Sequence, residues 1–69
     1  MKNFYIAVSI KENNKYFAFV IKVSEHENLK NKLDDPRITH ANIYPTKNKA
    51  EEVANFWNEC YKNNNTYMF

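Results

Sequence analysis

Apolar and polar residues alternate along the first quarter of the chain. Phe4, Ile6, Val8 and Ile10 interleave with Asn3, Tyr5, Ala7, Ser9 and Lys11. A period of two is that of a half-buried strand, so the pattern predicts a first strand from Asn3 to Lys11. The same period returns from Lys15 to Val23. There Phe17, Phe19, Ile21 and Val23 form one face, and Tyr16, Ala18, Val20 and Lys22 the other.

The linking segment "ENNK" predicts a hairpin. A two-residue turn needs positive φ at both central positions, and asparagine tolerates this better than most residues. A turn at Asn13-Asn14 fixes a register with Ile10 opposite Phe17, Val8 opposite Phe19, Ile6 opposite Ile21 and Phe4 opposite Val23. Glu12 then faces Lys15 beside the turn. A one-residue slip would turn the apolar set to water, so pattern and turn agree on one pairing.

In "SEHENLKNKLDDP", Ser24 followed by Glu27 is a capping-box pattern. Leu29 and Leu33 lie one helical turn apart, with His26 on their side. These features predict a short helix from Glu25 to Leu33, closed by a turn at Asp34, Asp35 and Pro36. A third strand is expected from Arg37 to Tyr44. The preferred phase groups Ala41 and Ile43 with the Phe17 face and leaves His40, Asn42 and Tyr44 on the opposite face.

Thr46 is placed to cap a final helix. At 100° per residue, Ala50, Val53, Ala54, Trp57, Cys60 and Tyr61 fall on one stripe bordered by Phe56. Glu51, Glu52, Asn55, Asn58, Glu59 and Lys62 occupy the other side. Asn63, Asn64 and Asn65 are expected to end the helix, one of them in a left-handed cap. The apolar tail Thr66-Tyr67-Met68-Phe69 is expected to fold back. The sum is one small α+β domain over residues 1–69, in the order β-β-α-β-α. Its sheet is three-stranded and mainly antiparallel, with one face covered by the long C-terminal helix. Strand order 1-2-3 is preferred; order 2-1-3 requires a crossover. The expectation is that the helix roofs the Phe17 face and leaves the other open.

Composition sharpens this picture at three points. The chain has 69 residues, and eleven of them are aromatic, which compensates for the small core that so short a chain can build. There is no glycine among them but twelve asparagines, so asparagine must supply the left-handed turn positions. The single cysteine cannot form an internal disulfide, which fits a reducing compartment. The opening "MKNFYIAVSIKE" has the look of a secretion signal, but Lys11 and Glu12 interrupt its apolar run. No stretch has the length of a membrane span. A cytoplasmic location is expected.

Reactive chemistry finds little support. Cys60 lies on the apolar stripe beside Glu59 and reads as packing rather than as a nucleophile. His26, His40 and Cys60 sit on separate elements without metal-ligand spacing. Glu51 and Glu52 are sequence neighbours on a helix and do not face one another. Phosphate-cradling loops need glycine. No catalytic residue, cofactor or metal is expected, and the chain does not read as an enzyme.

Two surfaces remain. The sheet face expected to be open carries Tyr5, Ala7, Ala18, Val20 and Tyr44, with a small apolar centre that suits contact with another protein or with a second copy. The same face offers Lys11, Tyr16, Lys22 and His40, which together with Lys47 and Lys49 form an alternative, nucleic-acid-binding set. Lys47 and Lys49 flank free backbone N–H groups at the start of the last helix. "TKNKAEEVANFW" resembles the opening of the long helix of double-stranded-RNA-binding domains, with Lys47 and Lys49 at the phosphate-contacting places. That family's leading helix and its glycines have no counterpart here.

Across the whole chain, "KNFYIAVSIKENNKYFAFVIKVSE" and "HANIYPTKNKAEEVANFWNECYKNNNTYMF" resemble small uncharacterised proteins of low-GC Gram-positive bacteria and their mobile elements. The resemblance implies a cytosolic stand-alone domain and no particular activity. The reading with most support is therefore a non-enzymatic interaction module, binding, inhibitory, regulatory or homodimerising. A small-molecule substrate and a membrane are not expected.

Overall fold

The computed structural model describes residues 2–64. The chain runs β1 (Asn3–Glu12), β2 (Lys15–Ser24), α1 (Leu29–Lys32), β3 (Ile38–Tyr44) and α2 (Lys47–Asn64). This is the α+β, β-β-α-β-α class that the alternation predicts.

The hairpin forms as the turn chemistry requires. Asn13 and Asn14 take φ values of 53° and 66°, the left-handed region that asparagine enters at least cost after glycine. The expected register follows in full, from Glu12 opposite Lys15 to Phe4 opposite Val23.

Strand order differs from the preferred one. It is β2-β1-β3, with β1 in the middle and antiparallel to both neighbours. β2 and β3 are thus parallel, and the chain between them must cross β1. The centre of β1 is apolar or small on both sides and carries no charge. Ile6, Ala7, Val8, Ser9 and Ile10 are all buried, as befits a strand covered above and below.

The crossover holds less helix than the sequence pattern predicts. Half of the capping box forms, around a turn rather than a helix start. Glu27 Oε1 accepts the Ser24 N–H at 2.9 Å, and Ser24 Oγ accepts the His26 N–H at 3.1 Å. The helix starts only at Leu29, where Asn28 Oδ1 accepts the Lys30 N–H. Local side-chain bonds have competed with the helix for its first turn. His26, expected on the inner side of a helix, is exposed in this turn. At the far end Arg37 binds Asp35 and Glu12, each at 2.8 Å, which fastens the crossover to the hairpin.

In α2 the cap is Thr46, whose Oγ1 accepts the Lys49 N–H at 3.2 Å. Ala50, Ala54, Trp57 and Tyr61 are buried along the predicted stripe, with Val53 and Cys60 half-buried. Asn63 and Asn64, two of the three candidates for the left-handed cap, remain within α2; Asn65 and the returning tail lie outside the described residues.

The main correction is which face α2 covers. It packs on the face expected to be open. Ala7, Ala18, Ala54, Trp57 and Tyr61 form one cluster, with Tyr16, Val20, Tyr44 and Val53 against it. Alanines on both the sheet and the helix let the two layers approach, and the bulk of Trp57 and Tyr61 fills the space between them. The Phe17 face is instead crossed by α1. Its cluster is Ile6, Val8, Ile10 and Val23, with Leu29, Leu33, Ile38 and Ala41 against it.

Candidate functional site

The residues singled out for interaction are largely inside. Ala7 and Ala18 are buried, and Tyr5, Val20 and Tyr44 are half-buried. Trp57 lies over that side of the sheet. The grouping of residues into two faces is the expected one, but the open and closed sides are exchanged.

The alternative set is divided. Tyr16 is half-buried, its ring 5.4 Å from that of Tyr61 with the Lys11 ammonium 5.5 Å from its centre. His40, expected at the surface, is half-buried with its ring edge-on to Trp57 at 6.2 Å. Bases cannot stack on Tyr16 or His40 unless α2 is displaced. Lys47 and Lys49 lie 3.9 and 3.3 Å from the carboxylates of Glu51 and Glu52. Lys22 is exposed on β2.

The open surface lies on the α1 side and follows from the path of the crossover. Residues 25–37 leave the sheet at the end of β2 and rejoin it at the start of β3. These points sit at opposite corners, since Ser24 is beside Asn3 and Ile38 is beside Ile10. The link therefore runs diagonally over β1 and roofs the middle of the face. Two apolar corners stay uncovered.

The first corner is on β2 beside the hairpin. Phe17 and Phe19 are 43% and 38% exposed, and their rings lie 6.0 Å apart and tilted. They are two residues apart on an edge strand, so both point to the same side. The second corner is at the other end of β3. Ile43 is 53% exposed there. It joins Phe4, Tyr44 and Pro45, with Lys2 and Glu25, around an open hollow of about 410 Å³. Alternation alone assigns Phe17 and Phe19 to the core. Periodicity identifies which residues share a face, but not how much of that face a short link can cover.

The sheet edges differ from each other. At the outer edge of β2, Asn58 of α2 binds the backbone of Ala18, accepting its N–H at 2.7 Å and donating to its carbonyl at 3.0 Å. The helical wheel places Asn58 with the outward residues; in the structure it reaches over the sheet margin and is half-buried. Among the described residues no element lies beyond β3.

Within the crossover, ionisable groups are paired at both ends. Two hydrogen bonds from Arg37, side chain first and backbone second, hold the Asp35 carboxyl at about 2, below its ordinary 3.8. The bond from the Ser24 backbone, and then that from Lys32, lower Glu27. These pairs brace a loop at the surface. Among the described residues, no three His, Cys, Asp or Glu side chains are grouped to hold a metal ion. No helix among them is long and apolar enough to cross a membrane. Comparison with protein-family models, with curated proteins and with solved structures yields no match.

Proposed function

We propose that this chain is a non-enzymatic protein-interaction module whose contact surface is the uncovered corner at Phe17 and Phe19. The observation that carries the reading is the adjacent pair of exposed phenylalanine rings on an edge strand. Water-exposed aromatic pairs are costly to solubility, and aromatics are enriched at the buried centres of interfaces. Asn58 keeps another strand from adding at Ala18 on this edge, so side chains rather than backbone make the contact. The Arg37, Glu12 and Asp35 charges beside the hairpin supply a polar rim. A domain of this kind acts by occupying a partner's surface, as an inhibitor or regulator does.

The test compares the wild-type chain with Phe17→Ser/Phe19→Ser in reconstituted binding to each protein that the wild type retains. Both residues are exposed, so the fold should survive, as the near-ultraviolet signal of Trp57 can verify. The expected outcome is loss of binding by about tenfold or more. Equal binding by the double variant would refute this surface.

A further inference from the structure

We propose that the chain pairs with a second copy of itself along β3, joining two three-stranded sheets into one of six strands. This rests on a different surface from the Phe17 corner and stands or falls independently of it.

The argument begins with ladder phase. In an antiparallel pair, alternate residues turn their backbone groups toward one neighbour and then the other. The Glu12–Lys15 pair next to a two-residue turn directs the even residues of β1 to β2. The odd residues then face β3, as the Lys11 N–H does in donating to the Arg37 carbonyl at 2.9 Å. On β3, His40, Asn42 and Tyr44 lie opposite Ser9, Ala7 and Tyr5 and answer them. Ala41 and Ile43 therefore turn their N–H and carbonyl groups outward, along the edge that no described element covers.

Proteins usually protect such an edge with lysine, proline, a bulge or a cover. The β2 edge has Lys15, Lys22 and the Asn58 amide. The β3 segment "ITHANIY" contains no lysine, arginine or carboxylate and no internal proline. Its bulge, at Thr39, is confined to the start of the strand. The stretch from His40 to Tyr44 is regular and uncharged.

That stretch is also self-complementary. A two-fold axis beside Asn42 places Ala41 of each copy against Ile43 of the other, and every outward donor meets an outward acceptor. No like charges oppose one another, because none are present. The side chains agree with this choice. Ile43 is 53% exposed at the edge, and Phe56 of α2 is 65% exposed. Phe56 is two residues before Asn58, about 200° around the helix from it. Since Asn58 reaches to the β2 edge, Phe56 lies on the helix flank turned away from that edge, toward β3. A symmetric pair brings the two Phe56 rings toward each other above the joined strands.

The area is sufficient for a modest dimer. Phe56 and Ile43 together leave roughly 200 Å² open per copy. With the strand edge and its flanking side chains from both copies, the buried total reaches on the order of 1,000 Å², the lower bound for a specific interface. A dissociation constant on the order of micromolar is the expected strength.

Sedimentation of the full chain over a wide concentration range tests the proposal. The wild type should pass from the monomer mass to twice that mass. Ile43→Lys places a charge at the seam, and Ala41→Pro removes an N–H that the monomer does not use. Each should weaken the dimer by about tenfold or more, with the Trp57 near-ultraviolet signal unchanged. Phe17→Ser should dimerise as the wild type does. A wild type that stays monomeric to millimolar concentration overturns the proposal, as it would if the edge took up a foreign peptide or the chain's own tail instead. So does a dimer unaffected by Ile43→Lys, or one dispersed by Phe17→Ser. Should Ala41→Pro fail to fold, Ile43→Lys decides the matter, since position 43 is exposed.

Discussion

The side-chain amide of Asn58 is paired with the backbone of Ala18 as a residue of a neighbouring strand would be. Its oxygen accepts the Ala18 N–H at 2.7 Å and its nitrogen donates to the Ala18 carbonyl at 3.0 Å. An amide offers both groups in one plane at neutral pH. Asn58→Ala should cost about 1–3 kcal/mol, because two partly buried backbone groups lose their partners. Asn58→Asp keeps the acceptor and sets a carboxylate against the Ala18 carbonyl. Its deficit relative to wild type should be at least as large at neutral pH. It should shrink as acid protonates the carboxyl and restores a donor. Urea titrations of the three proteins across pH would show this; a deficit independent of pH would contradict the bidentate pairing.

The hairpin turn gives a second prediction. Asn13 and Asn14 both hold positive φ, and asparagine is there in the absence of any glycine. Asn14→Gly should therefore stabilise the domain, by roughly 0.5 kcal/mol, as the turn becomes Asn-Gly. Asn14→Val should cost about 1–2 kcal/mol, since a β-branched residue resists the left-handed region. Thermal melts of the two variants should move in opposite directions.

The turn and the register were legible in the sequence because both are local. Period two, two asparagines and a charge pair at Glu12 and Lys15 admit one alignment. Strand order and the roofed face were not legible, because both depend on packing between distant segments. The exchange of faces turned on size. In the sequence Ala7 and Ala18 make a small apolar centre that calls for a partner, and that partner is Trp57 of the same chain. The signal was present: a large knob on the helix calls for a hollow on the sheet, and the Phe17 face has none. The early helix start failed for a related reason. Glu27 accepts the Ser24 N–H as in a capping box, but Ser24 Oγ takes the His26 N–H instead of that of Glu27, and residues 25–28 are all exposed, without burial to hold a helical turn.

The clamp at the end of the crossover should make stability sensitive to acid. The Asp35 carboxyl is held at about 2, against an ordinary 3.8, chiefly by the hydrogen bond from the Arg37 side chain. A depressed carboxyl contributes its stability fully above the unfolded value. That contribution is lost as pH falls from about 4 through about 2. Asp35→Asn should be less stable than wild type at neutral pH, and the difference should shrink through pH 2 and vanish only below it. Denaturant midpoints measured at several pH values would check the sign. A gap that widened in acid would mean that Asp35 is not the group being titrated.

The last prediction concerns the polar chain inside the α2 layer. Ser9 is fully buried, and its Oγ is hydrogen-bonded to the Tyr61 hydroxyl at 2.5 Å. Thr39 Oγ1 lies 3.1 Å from the same Ser9 oxygen and donates to the Ser9 carbonyl at 3.2 Å. β1, β3 and α2 thus meet at one serine. Tyr61→Phe should cost only about 1 kcal/mol, because Ser9 keeps Thr39 as a partner. Ser9→Ala should cost more, about 1–3 kcal/mol, since it removes the buried hydroxyl that both Tyr61 and Thr39 bond. The double variant should be less destabilised than the sum of the two, because both changes break the same Ser9–Tyr61 hydrogen bond. A double-mutant cycle by urea denaturation measures that coupling, and strict additivity would show that the three hydroxyls do not act as one network.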